Sequence, residues 1–224
     1  MQPEGRVNPM DSHQLLLLGA GGHAAVVAEA ARASGWLILG YCTDHPSPDG
    51  FPLDEDIPWV GPPDPESCAH LAEGGQPPSV IAAVGDPRLR SLWTTDFTRR
   101  GHPLATIIDP ASRISSSARI EDGVFVGPLA CINAGSRIGR SSIINSSAVV
   151  EHGCVLDPLV HIAPGAILTG EVTIGEGTLV GAGSVVLPGL EIGAWTTIGA
   201  GSVVQRDVPS ECVVAGVPAR ELVR

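Results

Sequence analysis

Two histidines in the second half of the chain have a residue type and a position that could support chemistry. His152 lies in the segment Val149–Cys154, and His161 follows nine residues later. A histidine with an ordinary pKa of about 6.5 can accept a proton at neutral pH, so either residue could act as a general base. A histidine is also a common surface residue, and spacing alone leaves that alternative open for both.

A second group of candidate residues lies in a glycine-rich turn near the start. The run from Gly19 to Ala24 reads G-A-G-G-H-A, which fits the pattern G-x-G-x-x-A. Glycines in such a turn let backbone N–H groups approach a phosphate or ribose at a helix N-terminus. Asp44 follows 25 residues after Gly19, where an acid could read a ribose. The region is too short for a two-lobed dinucleotide fold, so a single nucleotide fits better than NAD, and a structural turn without a ligand is the alternative.

The elements around this turn form the start of a Rossmann-like βαβ unit. A strand precedes the turn and an alanine-rich helix follows it, and the later segments repeat the order of strand and helix. The segment 42–78 is rich in Pro, Asp and Gly and predicts loops with one short element. The predicted elements are strand 15–18, helix 24–34, strand 36–41, strand 79–84, helix 87–100 and an extended piece at 104–108.

A six-residue repeat must position the two histidines. One aliphatic residue recurs at every sixth position without a slip, a small residue usually precedes it by two, and Gly or Asn often follows it. This period is typical of a parallel β-helix, in which three hexads close one triangular coil and coils are stable only when stacked. We predict five to six left-handed coils, with the aliphatic residue inside and the following Gly or Asn supplying left-handed backbone at each corner. The aliphatic positions are Ile108, Ile114, Ile120, Val126, Ile132, Ile138, Ile144, Val150, Leu156, Ile162, Leu168, Ile174, Val180, Val186, Ile192, Ile198 and Val204.

The repeat also predicts where the histidines lie. His152 follows the inward Val150 by two residues, so it should lie outside the core near a corner, and His161 directly precedes the inward Ile162. Nine residues are half of an eighteen-residue coil, so one prism should hold the two histidines on different sides. If both serve one site, that site must be shared between neighbouring subunits, as a ring of three prisms would allow.

A metal site is not predicted. The γ-class carbonic anhydrases use the same coil and bind zinc through three histidines, two of them on one subunit. The repeat of this chain holds only two histidines, and they are nine residues apart.

Composition restricts the classes of function. The net charge of −11 argues against a nucleic-acid partner and against an anionic membrane surface. Five cysteines, an odd number without a C-x-x-C motif, predict buried thiols in a reducing compartment. Neither a signal-like segment nor a run of 18 apolar residues is found, so we expect a soluble cytoplasmic protein. We predict a polar tail at 1–12, a Rossmann-like domain at 13–106, a β-helix at 107–204 and a capping extension at 205–224.

The chain resembles the bacterial hexapeptide-repeat sugar acetyltransferases that carry an N-terminal nucleotide-sugar domain. This group includes sialic-acid O-acetyltransferases and N-acetyltransferases acting on UDP-4-amino or GDP-4-amino sugars. The resemblance extends from Leu15 to about Leu222. Its markers are the runs Gly19–His23, Gly40–Asp44, Ala83–Asp86 with Arg90, Asn145–His152, His161–Ala166 and Gly216–Ala219.

The resemblance implies an acetyl-CoA-dependent homotrimer with a nucleotide-sugar substrate, and a role for individual residues. Gly21, Gly22 and His23 would line the nucleotide-sugar site, Thr43 and Asp44 would read the base or ribose, and Gly85 would approach the ligand by its backbone. His152 would be the general base. His161 would lie at the acetyl-CoA site, with backbone groups near Gly170, Ala182 and Ala200 along the cofactor channel. The positive charge for the cofactor phosphates would come from the C-terminal extension, with Arg206, Arg220 and Arg224 as candidates.

The chain departs from the family pattern at two places. The family more often shows two acids where this chain has Thr43 and Asp44, and an acid after the catalytic histidine where it has Gly153. Glu151 is a candidate substitute for that acid, although adjacent residues of a strand point apart. Because the acceptor pocket is not resolved by the sequence, an O-acetyltransferase acting on a sialic-acid-like sugar is one alternative. Gly153 motivates the other, a catalytically impaired nucleotide-sugar-binding protein.

Overall fold

The computed structural model describes residues 13–46, 53, 56–71 and 76–222. The predicted tail at 1–12 therefore lies outside the described residues. The first part of the chain forms a parallel four-stranded sheet in the order β3-β2-β1-β4, with two helices. Its elements are β1 (Gln14–Leu18), α1 (Gly22–Ala33), β2 (Leu37–Cys42), β3 (Trp59–Gly61), a 3-10 helix (Ala69–Leu71), β4 (Ser79–Ala82) and α2 (Pro87–Arg99).

Each element of this α/β domain has a local cause. Leu15 to Leu18 are fully buried because β1 lies in the middle of the sheet, where a parallel strand is covered on both faces. Asp86 caps α2, since its Oδ1 accepts hydrogen bonds from the backbone N–H groups of Arg88 at 2.8 Å and Leu89 at 3.1 Å. Pro87 occupies the first helical position, where no N–H group is needed.

Two predictions for this domain need correction. The first helix begins at Gly22 rather than Ala24, because Gly21 is the extended N-cap residue, so Gly22 and His23 lie in the helix and not in the turn. The segment 42–78 holds two short elements among its described residues, β3 and the 3-10 helix, where one was predicted.

The hexapeptide repeat forms the predicted β-helix, with one two-residue strand in each hexad from Ile107 to Val204. The strands pair in parallel at a spacing of eighteen residues, as Ile144 does with Val126 and Ile162. The inward residues form one continuous buried core. The strands are β5 (Ile107–Ile108), β6 (Arg113–Ile114), β7 (Arg119–Ile120), β8 (Phe125–Val126), β9 (Cys131–Ile132), β10 (Arg137–Ile138), β11 (Ile143–Ile144), β12 (Val149–Val150), β13 (Val155–Leu156), β14 (His161–Ile162), β15 (Ile167–Leu168), β16 (Thr173–Ile174), β17 (Leu179–Val180), β18 (Val185–Val186), β19 (Glu191–Ile192), β20 (Thr197–Ile198) and β21 (Val203–Val204).

Three parallel sheets make the sides of the prism. Face one contains β5, β8, β11, β14, β17 and β20; face two contains β6, β9, β12, β15, β18 and β21; face three contains β7, β10, β13, β16 and β19. The C-terminal extension continues face one, because β22 (Val213–Ala215) pairs with β20 and then with β23 (Arg220–Glu221). Val208, Val214 and Ala219 of this extension pack against the end of the prism core.

The prediction of which corner residue has left-handed backbone was wrong. A positive φ recurs at every sixth residue from Gly123 to Gly201, three positions after each inward residue rather than one. The glycines that directly follow the inward residue have a different role. A Cβ on Gly139, Gly175 or Gly181 would lie 2.5 Å from a backbone atom of the next coil. These glycines are needed because the coils stack closely there.

The α/β domain packs against face one of the prism. The outward side chains Ile107, Phe125 and Ile143 of this face are buried in the same apolar cluster as Leu17 of β1 and Val27 of α1. The two domains therefore share a core, which holds the carboxyl edge of the small sheet in a constant position relative to the coil.

The cysteine prediction is only partly correct. All five cysteines are free thiols, and Cys42, Cys68 and Cys154 are buried. Cys131 and Cys212 are half-buried. Cys131 directly precedes the inward Ile132, whereas Cys212 packs against the end of the prism core. Within the described ranges, neither helix is long and apolar enough to cross a membrane.

Candidate functional site

The carboxyl ends of three parallel strands bring the N-terminal candidates together. Gly19 follows β1, Thr43 follows β2, and Gly85 lies just beyond β4. Because the carboxyl ends of parallel strands meet at one edge of a sheet, Gly21, Gly22, Thr43, Asp44 and Gly85 share that edge. Open α/β sheets bind ligands at this edge.

The glycines of the turn have two different functions. Gly19 has φ +118°, and a Cβ on it would lie 2.9 Å from Cγ1 of Val84 and 3.0 Å from the Ala83 oxygen. Gly19 is therefore required for the close approach of β1 and β4. A Cβ on Gly21 or Gly85 would meet no atom within 4 Å, so the backbone at these two residues faces open space. Gly21 has no side chain with which to cap α1, which leaves the first N–H groups of this helix available to an anion.

An exposed tryptophan holds the end of β2. Nε1 of Trp59 in β3 donates a hydrogen bond to the Thr43 oxygen at 3.0 Å, and Trp59 is 40% exposed. The hydroxyl of Thr43 donates to the His45 oxygen, and Asp44 between them is exposed. Sequence reasoning missed Trp59 because it lies in a segment whose composition predicted mainly loops.

His23 connects this edge to the prism. Its ring lies edge-on to Phe125 at 5.2 Å between centroids and 6.3 Å from the ring of His161. Nδ2 of Asn145 lies 3.2 Å from Nε2 of His161, a geometry in which the amide donates to a neutral imidazole. Nε2 of His23 is buried, and no described residue provides it with a hydrogen-bond partner.

The surroundings of both histidines favour the neutral imidazole. Burial, followed by the positive charge of Arg90, lowers the pKa of His23 to about 4. Burial, then Arg90 and then His23 lower the pKa of His161 to about 3. At neutral pH both rings are therefore uncharged, which suits hydrogen bonding to a ligand better than proton transfer.

These lowered pKa values predict that stability falls with acidification. The unfolded chain takes up protons near the ordinary histidine pKa of 6.5, whereas the folded chain keeps both rings neutral down to about 4 and 3. The unfolded state thus binds more protons, so stability is full above pH 6.5 and is lost as the pH falls towards the folded pKa values. Between pH 6.5 and 5 the free energy of unfolding should fall by up to about 1.4 kcal/mol per pH unit for each histidine.

Urea unfolding at several pH values in this window measures the effect. The double variant His23→Asn/His161→Asn should show a shallower dependence on pH than the wild type, and His13→Asn, which changes an exposed histidine, should keep the wild-type slope. Equal slopes in all three proteins would contradict the prediction.

His152 lies on another part of the prism. It occupies the corner between β12 of face two and β13 of face three, and it is exposed. In a triangular prism this corner lies opposite face one, which carries His161. Gly170 shares the corner of His152 one coil later, whereas Ala182 and Ala200 lie at the corner between faces one and two. A single chain therefore brings together His23 and His161, and separately His152 and Gly170.

The imidazole of His152 rests directly on Gly170. A Cβ on Gly170 would lie 2.5 Å from Cε1 and 2.6 Å from Nε2 of His152. Any other residue at position 170 must displace the ring. The family resemblance implied only a cofactor contact for this glycine.

If His152 is the general base that the family resemblance implies, replacing Gly170 by Ala should lower the rate of the reaction that His152 serves. Gly170 does not have the left-handed backbone of the neighbouring corner residues, so the methyl group acts on the His152 ring rather than on the fold. In that case we expect kcat/KM to fall about 10²-fold, because a displacement of about 1 Å in a general base would have an effect of that size. Steady-state kinetics and thermal unfolding measure the two effects.

The matched control is Gly35→Ala, just after the end of α1, where a Cβ would meet no atom within 4 Å. Gly35 has φ +86°, so its substitution should reduce stability and leave kcat/KM close to that of the wild type. Wild-type turnover in Gly170→Ala would show that the ring position is not important.

Arg90 forms hydrogen bonds to both domains next to Gly85, at the carboxyl edge of the small sheet. It is 1% exposed, and its Nη1 donates to the oxygens of Val84 at 2.9 Å and Gly85 at 3.0 Å. Its Nε donates to the Ser141 oxygen at 2.8 Å, and its Nη2 donates to the Leu159 oxygen. Burial lowers the pKa of Arg90 to about 10, which leaves it charged at neutral pH. The sequence marked this residue only as part of a motif.

Two cavities flank α2 and lie apart from the predicted residues. One of about 370 Å³ is lined by Thr94, Arg140 and Leu159, among others, and one of about 540 Å³ lies beside Trp195. Arg88 stacks over the Trp195 ring at 4.8 Å from its centre. None of the predicted site residues lines these two cavities.

Two further predictions concern the arginines that would bind the cofactor phosphates and the question of a metal site. Arg206 and Arg220 are exposed on the C-terminal extension, and Arg224 lies outside the described residues. In the part of the chain that the structure describes, no group of three His, Cys, Asp or Glu side chains is placed to hold a metal ion.

Comparison with known proteins identifies the family. The profile of the PglD N-terminal domain matches residues 14–97, and that of the bacterial transferase hexapeptide (six repeats) matches residues 171–206. A mutant of perosamine N-acetyltransferase from Caulobacter crescentus, solved in complex with CoA and GDP-perosamine, is 36% identical. The alignment covers 94% of this chain and 97% of that one, with a TM-score of 0.87. This chain belongs to the PglD family of sugar acetyltransferases.

Further solved structures agree with this family assignment. The acetyltransferase domain of PglB from Neisseria gonorrhoeae, in complex with acetyl coenzyme A, is 34% identical over 94% of this chain and 100% of that one, with a TM-score of 0.85. WeeI from Acinetobacter baumannii is 23% identical over 93% of this chain and 99% of that one, with a TM-score of 0.81, which shows the fold alone. Among curated protein sequences, none matches. Membership of the PglD family confirms the sequence-based assignment to the hexapeptide-repeat sugar acetyltransferases.

Proposed function

We propose that this protein transfers the acetyl group of acetyl-CoA to the amino group of a nucleotide-linked sugar, with His152 as the general base. One observation carries the proposal. His23 extends from the glycine-rich edge of the small sheet to the prism, where its ring lies 6.3 Å from that of His161. A nucleotide bound at the sheet edge would therefore direct its sugar to the face of the coil on which the cofactor is expected.

The relatives support the chemical class of both substrates. The enzyme from C. crescentus is a perosamine N-acetyltransferase in complex with CoA and GDP-perosamine, and the PglB domain is in complex with acetyl coenzyme A. An amine acceptor on a nucleotide sugar is therefore the proposed substrate, and a hydroxyl acceptor is the alternative. The N–H groups at the start of α1 would bind the nucleotide phosphates, and Asp44 with Thr43 would read the base or ribose.

The proposed mechanism needs one base and one set of hydrogen-bond donors. The sugar nitrogen forms a bond to the thioester carbonyl carbon while an imidazole nitrogen of His152 accepts a proton from that nitrogen. The carbon–sulfur bond then breaks, and the proton passes to the leaving thiolate. Before that bond breaks, backbone N–H groups of the neighbouring coil would stabilise the negatively charged oxygen of the tetrahedral intermediate. Neutral His161, paired with Asn145, would contact the cofactor without competing for the proton.

The same geometry supports a site shared between chains. His152 and His161 lie on opposite sides of one prism, so both can serve one reaction only if a second chain supplies one of them. A ring of three prisms, which the family resemblance implies, would place the corner of one chain against face one of the next. Sedimentation equilibrium should give the mass of a homotrimer, and a strict monomer would contradict the shared site.

A binding screen and a transfer assay test the proposed function. UDP-, GDP- and CMP-linked sugars are added with and without acetyl-CoA, and the melting temperature and the release of the CoA thiol are measured. A nucleotide sugar at 100 times its Kd should stabilise the protein by about 2.7 kcal/mol, and the correct amino sugar should release thiol. Binding without release from any acceptor would favour the impaired, binding-only protein, and no shift with any of these sugars would refute the nucleotide-sugar site.

A further inference from the structure

We propose that the carboxylate of Glu171 is the positioning group for His152, acting from the next coil. This inference rests on the proposed function, in which His152 is the base. Glu171 occupies the corner one coil after Gly153, and its backbone N–H donates a hydrogen bond to the His152 oxygen at 2.8 Å. The backbones of the two residues are thus joined, which keeps the glutamate beside the histidine.

The side chain of Glu171 extends back towards the corner of His152. A Cβ on Gly153 would lie 3.2 Å from Cγ of Glu171, so the Glu171 side chain lies directly against the position that a side chain at residue 153 would occupy. Gly153 has φ +69° and Glu171 has φ +63°, so the two residues occupy the same corner position in consecutive coils. The glycine leaves room for the glutamate, and the two residues together place one carboxylate at this corner.

Glu171 is better placed than the other nearby acid. Glu151 precedes His152 directly, and its backbone N–H and oxygen are used by Leu168 and Ser136 respectively. The ring of His152 lies against Gly170 of the next coil, which directly precedes Glu171, whereas Glu151 lies in the same coil as His152. The other titratable or charged groups on the elements packed around His152 are Cys154, whose buried thiol donates to the Thr169 oxygen, and the exposed Arg137 on the neighbouring strand.

The chemical role is that of an orienting carboxylate. When one ring nitrogen of His152 accepts the proton of the sugar amine, the imidazole becomes a cation, and its other N–H donates a hydrogen bond to the Glu171 carboxylate. The carboxylate stays ionised and takes no proton. It selects the tautomer in which the nitrogen that faces the amine is unprotonated, and it stabilises the imidazolium as this cation forms.

The test compares Glu171→Gln with the wild type in a profile of kcat/KM against pH. Removing a supporting carboxylate of this kind should lower kcat/KM about 10–100-fold. The acidic limb of the profile, which reports the pKa of the base, should move to lower pH because the cation of His152 loses its partner. KM for the nucleotide sugar should stay the same, because Glu171 does not lie at the sheet edge.

Three variants separate this role from a structural one. Glu151→Gln should keep the wild-type profile, and Glu171→Asp should regain part of the lost rate. Placing the acid at the other corner residue, in Gly153→Glu/Glu171→Gln, should return the acidic limb towards its wild-type position. A Glu171→Gln profile that superimposes on the wild type, a loss of rate without a shift of the limb, or an equal shift in Glu151→Gln would each overturn the proposal.

A second measurement does not depend on turnover. The His152 ring resonances, assigned with His152→Asn and followed by NMR against pH, should titrate at lower pH in Glu171→Gln than in the wild type. If the wild type transfers no acetyl group but this shift is present, the proposed function fails and the role of Glu171 stands. If transfer occurs and the two titrations coincide, the role of Glu171 fails and the proposed function stands.

Discussion

Replacing His152 by Asn should lower kcat/KM for acetyl transfer by about 10²–10⁴-fold, the contribution of a general base to a proton-transfer step. The amide of asparagine keeps a polar group at the corner but does not accept the proton of the attacking amine. The fold should be unaffected, because His152 is exposed and its ring contacts the backbone of Gly170. Nucleotide-sugar affinity should also stay the same, since the predicted binding residues lie on the small sheet.

Release of the CoA thiol measures the rate, and the shift of melting temperature with nucleotide sugar measures binding. The control His13→Asn makes the same chemical change at an exposed histidine beside Trp36, at the amino end of β1 and away from the carboxyl edge. It should keep both properties. If His152→Asn retained turnover within about twofold of the control, the base would have to be another group.

Replacing Arg90 by Met should cost at least about 3 kcal/mol of unfolding free energy, because a hydrogen bond to a charged group contributes about 1.5–3 kcal/mol. Arg90 donates to four carbonyl oxygens, two in the small domain and two at the same corner of the prism in successive coils. Methionine fills part of the space but leaves these buried acceptors without their donor. Lysine should not replace Arg90 fully, because a single ammonium group does not reach all four oxygens as the planar guanidinium does.

Urea unfolding at one fixed protein concentration measures this loss. The control Arg99→Met changes an arginine of the same helix whose side chain is 75% exposed, and it should stay within about 0.5 kcal/mol of the wild type. Since Arg90 binds the Gly85 oxygen, Arg90→Met should also weaken nucleotide-sugar binding. Equal stability of the two variants would show that the apolar contact between the domains is sufficient by itself.

The β-helix could be predicted from the sequence because the interactions that form each coil are local and recur in every coil. Each coil packs only on its neighbours, so one inward aliphatic residue per hexad determines the core, and Ile144 pairs with Val126 and Ile162 as the spacing predicts. The same regularity explains the error at the corners. Each of the six positions in the hexad recurs with the same period. Periodicity therefore does not distinguish the position with left-handed backbone, as at Gly153, from the position where the coils stack closely, as at Gly175.

The candidate site depends on contacts that no local pattern contains. The sequence alone determined the inward residues, the glycine-rich turn that follows the first strand and the position of His152 outside the core. Only the tertiary structure decided that His23 meets His161, that Arg90 binds both domains and that Glu171 extends towards Gly153. The physical reason is that the first two contacts arise when the small sheet packs on face one. The third arises when two corners eighteen residues apart stack, so their distances depend on packing rather than on residue spacing.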